Sequence, residues 1–571
     1  MRNVYDKIQC ALGKKPVDLL IKNANLVNVF SGEIYMTNVA VHDGRIIGFG
    51  DYEAHEVIDI KGMYLAPSFI DGHIHIESTM LTVPEFARAV VPYGTGAVVA
   101  DPHEFANVLG LDGIRYVLEE RENLPVDIFV MLPSCVPATE LETSGARLSA
   151  YDLHLLINEP RVVGVGEMMN YAGVVNGERE LLNKLHIGRD KVVDGHAPGL
   201  TGKELNAYVL AGPRSDHECT RLEEAREKLR LGMHIHLREG SSEKNLRDIL
   251  PLVSDDNWNH FSFVTDDRHP VSLATEGHIN NNIKIAIESG LDPIRAYQIA
   301  TINTARFYNL KNLGAIVPRY WADFVVLEDL RNPMPRMVFK KVILVAEDGK
   351  ALFVPSEARH SFIRATMNIG HIDEDSFKIP AKGRKINLIR VIKGQIVTER
   401  VVDDAKIEDG YAVADPERDI LKYVVIERHR ASGNMGKGFV RGFGIKEGAI
   451  ASSVAHDSHN LGVLGANDRD MLVAALRATE LGGGLVVVKN GEVLAELPLP
   501  VAGLVSDQTL ETVVEKFSEL TRAVESIGCT LPDPFAAMSF LSLVPIPQIR
   551  LTDRGLVDAT KFEFIDLFAD S

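Results

Sequence analysis

Apolar and polar residues alternate between residues 18 and 65, which is the pattern of short strands in a sheet with one exposed face. In DLLIKNANLVNVFSGEIYMTNVAVHDGRIIGFG, the SGE segment and the Asp43-Gly44 pair stand where hairpins would turn. We therefore expect residues 1–66 to form part of a small β-sandwich module. Strand character returns in NLGAIVPRYWADFVVLEDL, so residues 310–350 are expected to complete a discontinuous module.

A different rhythm follows between residues 67 and 309, where short β-branched runs alternate with helical segments. The runs are PSFIDGHIH, TGAVVADPHE, VDIFVMLPSCVP, VVGVGEMMN, VVDGHAP, GPRSDHEC, GMHIHLREG and FSFVTDD. Near-continuous apolar runs are typical of parallel strands buried on both faces. Eight strand–helix units favour a (β/α)₈ barrel of the TIM type over a doubly wound open sheet.

The last third of the chain has mixed patterning. Residues 351–384 are expected to be connective. Beyond them, KINLIRVIKGQIVTERVV and GGGLVVVKNGEVLAELPLP are strand-like, whereas DRDMLVAALRATEL and QTLETVVEKFSELTRAVESI have the period of amphipathic helices. We expect residues 385–571 to form an additional α+β domain.

The composition narrows the class of protein. A chain of 571 residues is too long for one compact core. Its net charge of −18 argues against nucleic acid and against an anionic membrane surface as partners. The four cysteines form no CxxC pair, and neither a signal peptide nor an apolar run long enough to cross a bilayer is evident. We expect a cytoplasmic protein, with a homodimer as the default oligomer.

Side chains that bind divalent metals follow most of the eight runs. His73 and His75 are two residues apart on a strand and therefore share one face. The carboxyl ends of barrel strands meet at one face, so the later candidates should lie near this pair. They are Asp101, His103, Glu104, Glu167, His196, Asp216, His217, Glu218, His236, Arg238, Glu239, Asp266 and Asp267.

Imidazoles and carboxylates suit zinc, manganese and iron, and two such ions close together make water nucleophilic near neutral pH. A single buried histidine is more often structural, and Asp266-Asp267 could be a helix cap. The recurrence of such groups at strand ends, in barrel order, favours a metal centre.

These residues also carry a family resemblance. HxH on the first strand, histidine on the fifth and sixth, and aspartate on the eighth resemble the amidohydrolase superfamily. More narrowly, PSFIDGHIHIESTM, ADPHE, VGEMMN, DGHAPGL, SDHE, LREGSSEKNL and TDDRHP, with AHDSHN and DPFAAMSFLSL near the C-terminus, resemble the bacterial adenine deaminase family over nearly the whole chain. Glu167 stands where many binuclear members carry a carboxylated lysine. His196-Ala197-Pro198-Gly199 departs from the HxxE of mononuclear deaminases.

The resemblance implies hydrolysis of adenine to hypoxanthine and ammonia at a binuclear divalent metal centre, with manganese favoured over iron or zinc. The implied metal ligands are His73, His75, Glu167, His196, His217 and Asp266. Both ring nitrogen N1 and the leaving amine must gain a proton, so at least two acid–base groups are needed. Asp266 is expected to carry a proton from the attacking water to the amine. Glu167 is expected either to bridge the metals or to protonate N1, and His103 either to move protons or to support a neighbour.

Other polar residues near the same strand ends are candidates for contact with the purine base. They are Glu77, Ser78, Arg238 and Glu239, of which the last two could instead form a structural ion pair. His456, Asp457, His459 and Asn460 are expected to form either a lid over the barrel mouth or a simple turn. His236 has no assigned role. The alternatives are an amidohydrolase for a cyclic amide or a different aminopurine, and a scaffold protein without activity.

Overall fold

A computed structural model describes residues 2–121, 123–355 and 361–570. The chain begins with helix α1 (Arg2–Ala11) and the strands β1 (Val17–Asn28), β2 (Glu33–His42), β3 (Arg45–Phe49), β4 (Ala54–Asp59) and β5 (Tyr64–Pro67). β2 and β3 form an antiparallel hairpin. Asp43 and Gly44 both have positive φ, 49° and 66°, as a two-residue type I′ turn requires.

A curled arrangement of parallel strands forms the middle of the chain. The strands are β6 (Phe69–His75), β7 (Thr95–Ala100), β8 (Asp127–Leu132), β9 (Val162–Met168), β10 (Val192–Gly195), β11 (Ser215–Asp216), β12 (His234–Arg238), β13 (Phe261–Val264) and β14 (Asp266–Asp267). One sheet has the order β10-β9-β8-β7-β6-β14 and another the order β11-β12-β13. Thr265 alone separates β13 from β14, and the Arg214 amide donates to the Val193 carbonyl at 2.9 Å beside β10 and β11. The two sheets therefore continue into one another as a TIM-like barrel.

Helices alternate with these strands, as the sequence pattern predicts. They are α2 (Val83–Val90), α3 (His103–Leu109), α4 (Leu111–Glu120), α5 (Ala150–Leu156), α6 (Tyr171–Val175), α7 (Arg179–Ile187), α8 (Gly202–Ala211), α9 (Leu222–Arg230), α10 (Leu246–Ile249), α11 (Pro270–Glu276), α12 (Ile279–Glu288), α13 (Pro293–Gln298) and α14 (Thr304–Phe307). The strands are buried. Because they are also parallel, their carboxyl ends place polar side chains together at one face of the barrel.

The N-terminal strands share a nine-stranded sheet with four strands from beyond the barrel. These are β15 (Phe324–Leu327), β16 (Pro335–Lys340), β17 (Ile343–Glu347) and β18 (Lys350–Ala351). The strands expected to form a β-sandwich are thus hydrogen-bonded in one sheet, with β5 pairing antiparallel to β15. Buried Lys340 ties this sheet to the barrel by bonding Asp127 at 2.6 Å and Asp323 at 2.7 Å. The predicted domain boundaries remain predictions.

The C-terminal part combines sheets and helices. Its strands are β19 (Ile379–Pro380), β20 (Lys385–Val391), β21 (Thr398–Asp404), β22 (Lys406–Glu408), β23 (Tyr411–Val413), β24 (Leu421–Ile426), β25 (Met435–Arg441), β26 (Ala449–Ser452), β27 (Leu461–Gly465), β28 (Gly484–Lys489), β29 (Glu492–Pro498), β30 (Ile549–Thr552), β31 (Gly555–Asp558) and β32 (Glu563–Phe564). Its helices are α15 (Asp468–Glu480), α16 (Leu510–Ser526) and α17 (Pro534–Ser539). The main sheet has the order β21-β20-β25-β24-β27-β26-β28-β29.

Direct contacts hold this part against the barrel. The amide of Leu510 donates to Glu85 at 2.7 Å, and the Asn460 side chain donates to the Thr143 carbonyl at 2.8 Å. Arg88 and Glu511 form an ion pair at 2.5 Å. In the described ranges, no helix combines the length and apolar character needed to cross a membrane.

Candidate metal centre

The six candidate metal ligands converge at the carboxyl ends of five barrel strands. They are His73 and His75 in β6, Glu167 in β9, His196 after β10, His217 after β11, and Asp266 in β14. All are buried except His196, which is partly exposed. The structure therefore places together the six residues that the family resemblance implies as metal ligands.

Glu167 lies at the middle of this cluster and divides it into two groups. Its Oε1 atom lies 3.0 Å from His75 Nε2 and 3.4 Å from His103 Nδ1. Its Oε2 atom lies 2.6 Å from His196 Nδ1 and 3.3 Å from His217 Nε2. His73 Nε2 also lies 3.6 Å from Oε1, so one carboxylate faces different imidazoles with each oxygen.

Asp266 closes the first group from the opposite side. Its Oδ1 atom lies 3.2 Å from His75 Nε2 and 3.6 Å from His73 Nε2. The residue has a φ of 58°, an uncommon conformation for a non-glycine residue and one that is often found at functional sites. Arg238 donates to the other oxygen of Asp266 at 2.7 Å and holds the carboxylate in place.

Hydrogen bonds with Asp101, which lies outside the cluster, orient two of these side chains. His75 Nδ1 lies 2.8 Å from the Asp101 carbonyl, which assigns the proton to Nδ1 and leaves the Nε2 lone pair facing the cluster. The Asp101 side chain accepts from the Glu167 amide at 3.0 Å. Gly166 makes this approach possible, because a Cβ atom there would lie 1.9 Å from the Asp101 carboxylate.

The chemistry of the donor set fits divalent cations. Two buried polar atoms that face the centre of the cluster, His217 Nε2 and Glu167 Oε1, have no hydrogen-bond partner within the described part of the chain. Unpartnered buried polar atoms are costly, and a cation bound to the lone pairs that face it removes much of this cost. Burial opposes a charge on His75, yet the adjacent carboxylates of Asp266 and Glu167 raise its pKa well above its ordinary value, because they favour a positive charge, a proton or a cation, beside them. The site therefore favours positive charge at its centre.

Of the predicted substrate residues, Ser78 and Arg238 bond carboxylates beside the cluster. The Ser78 hydroxyl donates to Asp267, next to Asp266. Arg238 also bonds Glu218 and donates to Asn245 at 2.9 Å, so its guanidinium is already engaged.

Glu77 and Glu239 are placed differently. Glu77 accepts from the Phe105 amide at 3.0 Å, and burial beside Glu104 raises its pKa to about 7. Burial also raises the pKa of Glu239, and the opposing charges nearest to it are Lys244 and Arg268. Glu239 thus interacts with charges other than those of the ligand cluster.

His103 links the cluster to the C-terminal part. Its Nδ1 atom lies near Glu167, while its Nε2 atom lies 3.9 Å from both Glu104 and Asp457. His236 is bonded elsewhere, because its Nε2 atom lies 3.2 Å from the Tyr308 hydroxyl.

Sequence reasoning included Glu104 and Glu218 among the strand-end residues but gave neither a role. Glu104 bonds His456 at 2.5 Å, and Glu218 bonds Arg238. The ADPHE and SDHE motifs were a signal for both carboxylates, but no pattern in the sequence pairs Glu104 with a histidine so far along the chain.

Comparison with known proteins shows the class to which the chain belongs. Residues 64–383 match the model of the amidohydrolase family, and the chain belongs to this family of hydrolases. Residues 395–563 match the adenine deaminase C-terminal domain. The chain is 50% identical over 566 residues to "Adenine deaminase 2" of Carboxydothermus hydrogenoformans, covering 99% of both chains. It is 48% identical over 571 residues to an adenine deaminase of Kosmotoga olearia, again covering 99% of both. Within the amidohydrolases, it therefore belongs to the adenine deaminase family.

Among solved structures, the chain is similar to a β-aspartyl dipeptidase from Fervidobacterium islandicum AW-1. The TM-score is 0.46 and the sequence identity 18%, and the match covers 60% of this chain and 100% of that one.

Proposed function

We propose that this protein hydrolyses adenine to hypoxanthine and ammonia. Full-length similarity to adenine deaminases supports the substrate. The observation that carries the chemistry is the carboxylate of Glu167, which faces different imidazoles with each of its two oxygens.

The proposed cofactor is a pair of divalent cations, with manganese favoured and iron or zinc as alternatives. The residues that would hold the pair are His73, His75, Glu167, His196, His217 and Asp266. The cluster His73-His75-Asp266 has ligand atoms close enough together for one ion, and His196 and His217 lie beside Oε2 of Glu167, where a second ion could be held. Such a pair lowers the pKa of water and polarises the substrate.

The chain's own residues would move the protons. Asp266 is fixed by Arg238 and lies beside His73 and His75, where it can accept a proton from the attacking water and pass it to the departing amine. Both oxygens of Glu167 already face imidazole nitrogens, which favours a bridging role over protonation of N1. His103 is then the proposed group that holds the proton required at N1.

The test is ammonia release by protein reconstituted with manganese, measured with adenine, adenosine, guanine and cytosine in parallel. Turnover of adenine alone is the expected result. Full metal content without turnover of adenine would contradict the proposed substrate, and cyclic amides would then be the substrates to test. Glu167→Gln serves as the matched variant, because it keeps the side-chain volume and removes the charge. It should lose both bound metal and activity.

We also propose that the enzyme works in the cytoplasm as a homodimer. The absence of CxxC pairs and the prevalence of two-fold dimers among soluble oligomers support this proposal. Light scattering coupled to gel filtration would show twice the 62.9 kDa chain mass. A peak at the chain mass would contradict it.

A further inference from the structure

We propose that the C-terminal part of the chain completes the substrate site, with His456 and the barrel residue Glu104 binding the edge of the purine remote from C6. This inference rests on the proposed function and adds a specificity-determining residue from outside the barrel. The chemistry to be recognised is N3 and the five-membered ring of a free purine base, which together carry one N–H donor and two lone-pair nitrogens.

A cavity at the barrel mouth is the first observation. Its barrel side is formed by Glu77, Ser78 and Glu104, and its other side by His456, Phe535 and Ser539. Apolar side chains with a few convergent polar groups are the usual lining of a small-molecule site. The cavity has a volume of about 30 Å³, which is room for one edge of a flat, partly polar base, and both parts of the chain form it.

The cavity adjoins the candidate metal centre. Ser78, in its lining, donates to Asp267, the neighbour of Asp266. Glu104 lies within 3.9 Å of the His103 ring, whose other nitrogen lies 3.4 Å from Glu167. Only the His103 ring separates Glu104 from Glu167, so a base of two fused rings that lies alongside His103 is long enough to reach both. With C6 at the centre, the far edge of the base would lie beside Glu104.

His456 is held in a defined orientation. Its Nδ1 atom bonds Glu104 at 2.5 Å, its ring stacks on Phe540 with centroids 4.9 Å apart, and its amide donates to the Ser539 carbonyl at 3.0 Å. Within the part of the chain that the structure describes, its Nε2 atom has no hydrogen-bond partner, although the residue lines the cavity. A pre-oriented imidazole with a free nitrogen is suited to bond a purine ring nitrogen at low entropic cost.

Glu104 supplies the complementary acceptor. Burial opposes ionisation, but His456 and His459 lower the pKa of this carboxyl, so it stays charged. A carboxylate has about four lone-pair positions, more than its two histidine contacts occupy. It can therefore also accept the purine N–H.

Glu104, His456 and His459 together have the composition of a further metal site, but one hydrogen bond argues against it. The Ala455 amide donates to His459 Nδ1 at 3.2 Å, which places the proton of the neutral ring on Nε2. A protonated Nε2 atom, which lies 3.4 Å from Glu104, cannot bind a cation. His459 therefore positions Glu104.

The experiment measures binding of hypoxanthine, 3-deazahypoxanthine and 7-deazahypoxanthine to the manganese-loaded enzyme by calorimetry, because the product and its analogues do not turn over. We expect wild type to bind at least one analogue about tenfold more weakly than hypoxanthine. In His456→Gln, the Kd for hypoxanthine should rise about tenfold and this discrimination should disappear, with metal content unchanged.

Glu511→Gln is the matched control, because it removes an ion pair between barrel and C-terminal part away from the cavity. It should keep the wild-type Kd and the wild-type discrimination. Equal binding of all three ligands by wild type would overturn the inference, even if His456→Gln failed to fold. So would a folded His456→Gln enzyme that binds and discriminates as wild type does. A metal-loaded wild type that neither deaminates adenine nor binds hypoxanthine would overturn the proposed function itself, and the inference with it.

Discussion

Replacing Gly166 by alanine should disable the enzyme without adding or removing any charged group. The new Cβ atom would lie 1.9 Å from Asp101 Oδ2, whereas contacts below 3.0 Å essentially do not occur. The difference requires a displacement of about 1 Å. Because Asp101 Oδ2 accepts from the Glu167 amide and the Asp101 carbonyl orients His75, this displacement reaches two candidate ligands directly.

A misplacement of about 1 Å near reacting groups costs on the order of 10²-fold in rate, or about 2.7 kcal/mol in the barrier. Overpacking of this kind also destabilises a fold by about 1–3 kcal/mol. We therefore expect kcat/KM for adenine to fall about 100-fold in Gly166→Ala after reconstitution with manganese, and the thermal unfolding midpoint to fall by a few degrees. Ammonia release, metal analysis and calorimetry measure these effects.

Gly438→Ala is the control, because its Cβ atom would meet nothing closer than 3.5 Å, in ordinary contact with Leu551. It should leave kcat/KM unchanged. If Gly166→Ala kept kcat/KM within about threefold of wild type with full metal content, then the Asp101 contacts would not position the site, and the reasoning above would be refuted.

Three further predictions concern the bound metal and two buried charged residues. Chelation should abolish deamination and lower the unfolding midpoint, and added manganese should restore both, because a ligand bound to the native state stabilises it; a chelated protein with an unchanged midpoint would contradict this. Arg238→Met should lower kcat about 100-fold by freeing Asp266, and an unchanged kcat at full metal content would oppose the role of Asp266. Lys340→Met should lower the free energy of unfolding by about 3–5 kcal/mol while sparing kcat/KM, because it leaves Asp127 and Asp323 buried without their cation. Burial opposes ionisation of Asp127, but the charge of Lys340 and of a neighbouring arginine lowers its pKa to about 2. In wild type this contribution should be complete above about pH 4 and be lost as the pH falls towards 2; denaturant titrations at several pH values measure both effects.

The candidate ligands could be predicted because barrel geometry determines where a residue at the end of a strand lies. A residue at the carboxyl end of a buried strand must lie at one face, so His73, Glu167 and Asp266 could be brought together without coordinates. Strand geometry also limits what can be predicted for neighbouring residues, because consecutive residues of a strand point to opposite faces. Arg238 and its neighbour Glu239 follow one another in the chain and therefore interact with different charged groups.

Contacts between the parts of the chain were less predictable. The AHDSHN motif showed that a polar turn exists, but two readings, a lid and a simple turn, fitted its residues equally well. Only the fold shows that His456 and His459 both approach Glu104, because this depends on how the main C-terminal sheet docks on the barrel. Periodicity describes which face of an element is buried, but it does not determine which partner covers it.

The packing of the C-terminal part on the barrel also gives a reason why an enzyme for a small base has so large an additional domain. If the barrel mouth were open, Glu104 would be exposed to water. An exposed carboxylate can bond water in place of a ligand, so it would discriminate little between bases with different ring nitrogens. Next to His456, the same carboxylate is buried, and a wrong ligand must leave it or the imidazole unpartnered. Rejection by a site built from buried polar groups is much stronger than rejection by shape alone. On this argument the barrel supplies the reaction, and the C-terminal part supplies the low-polarity surroundings in which one purine can be told from another.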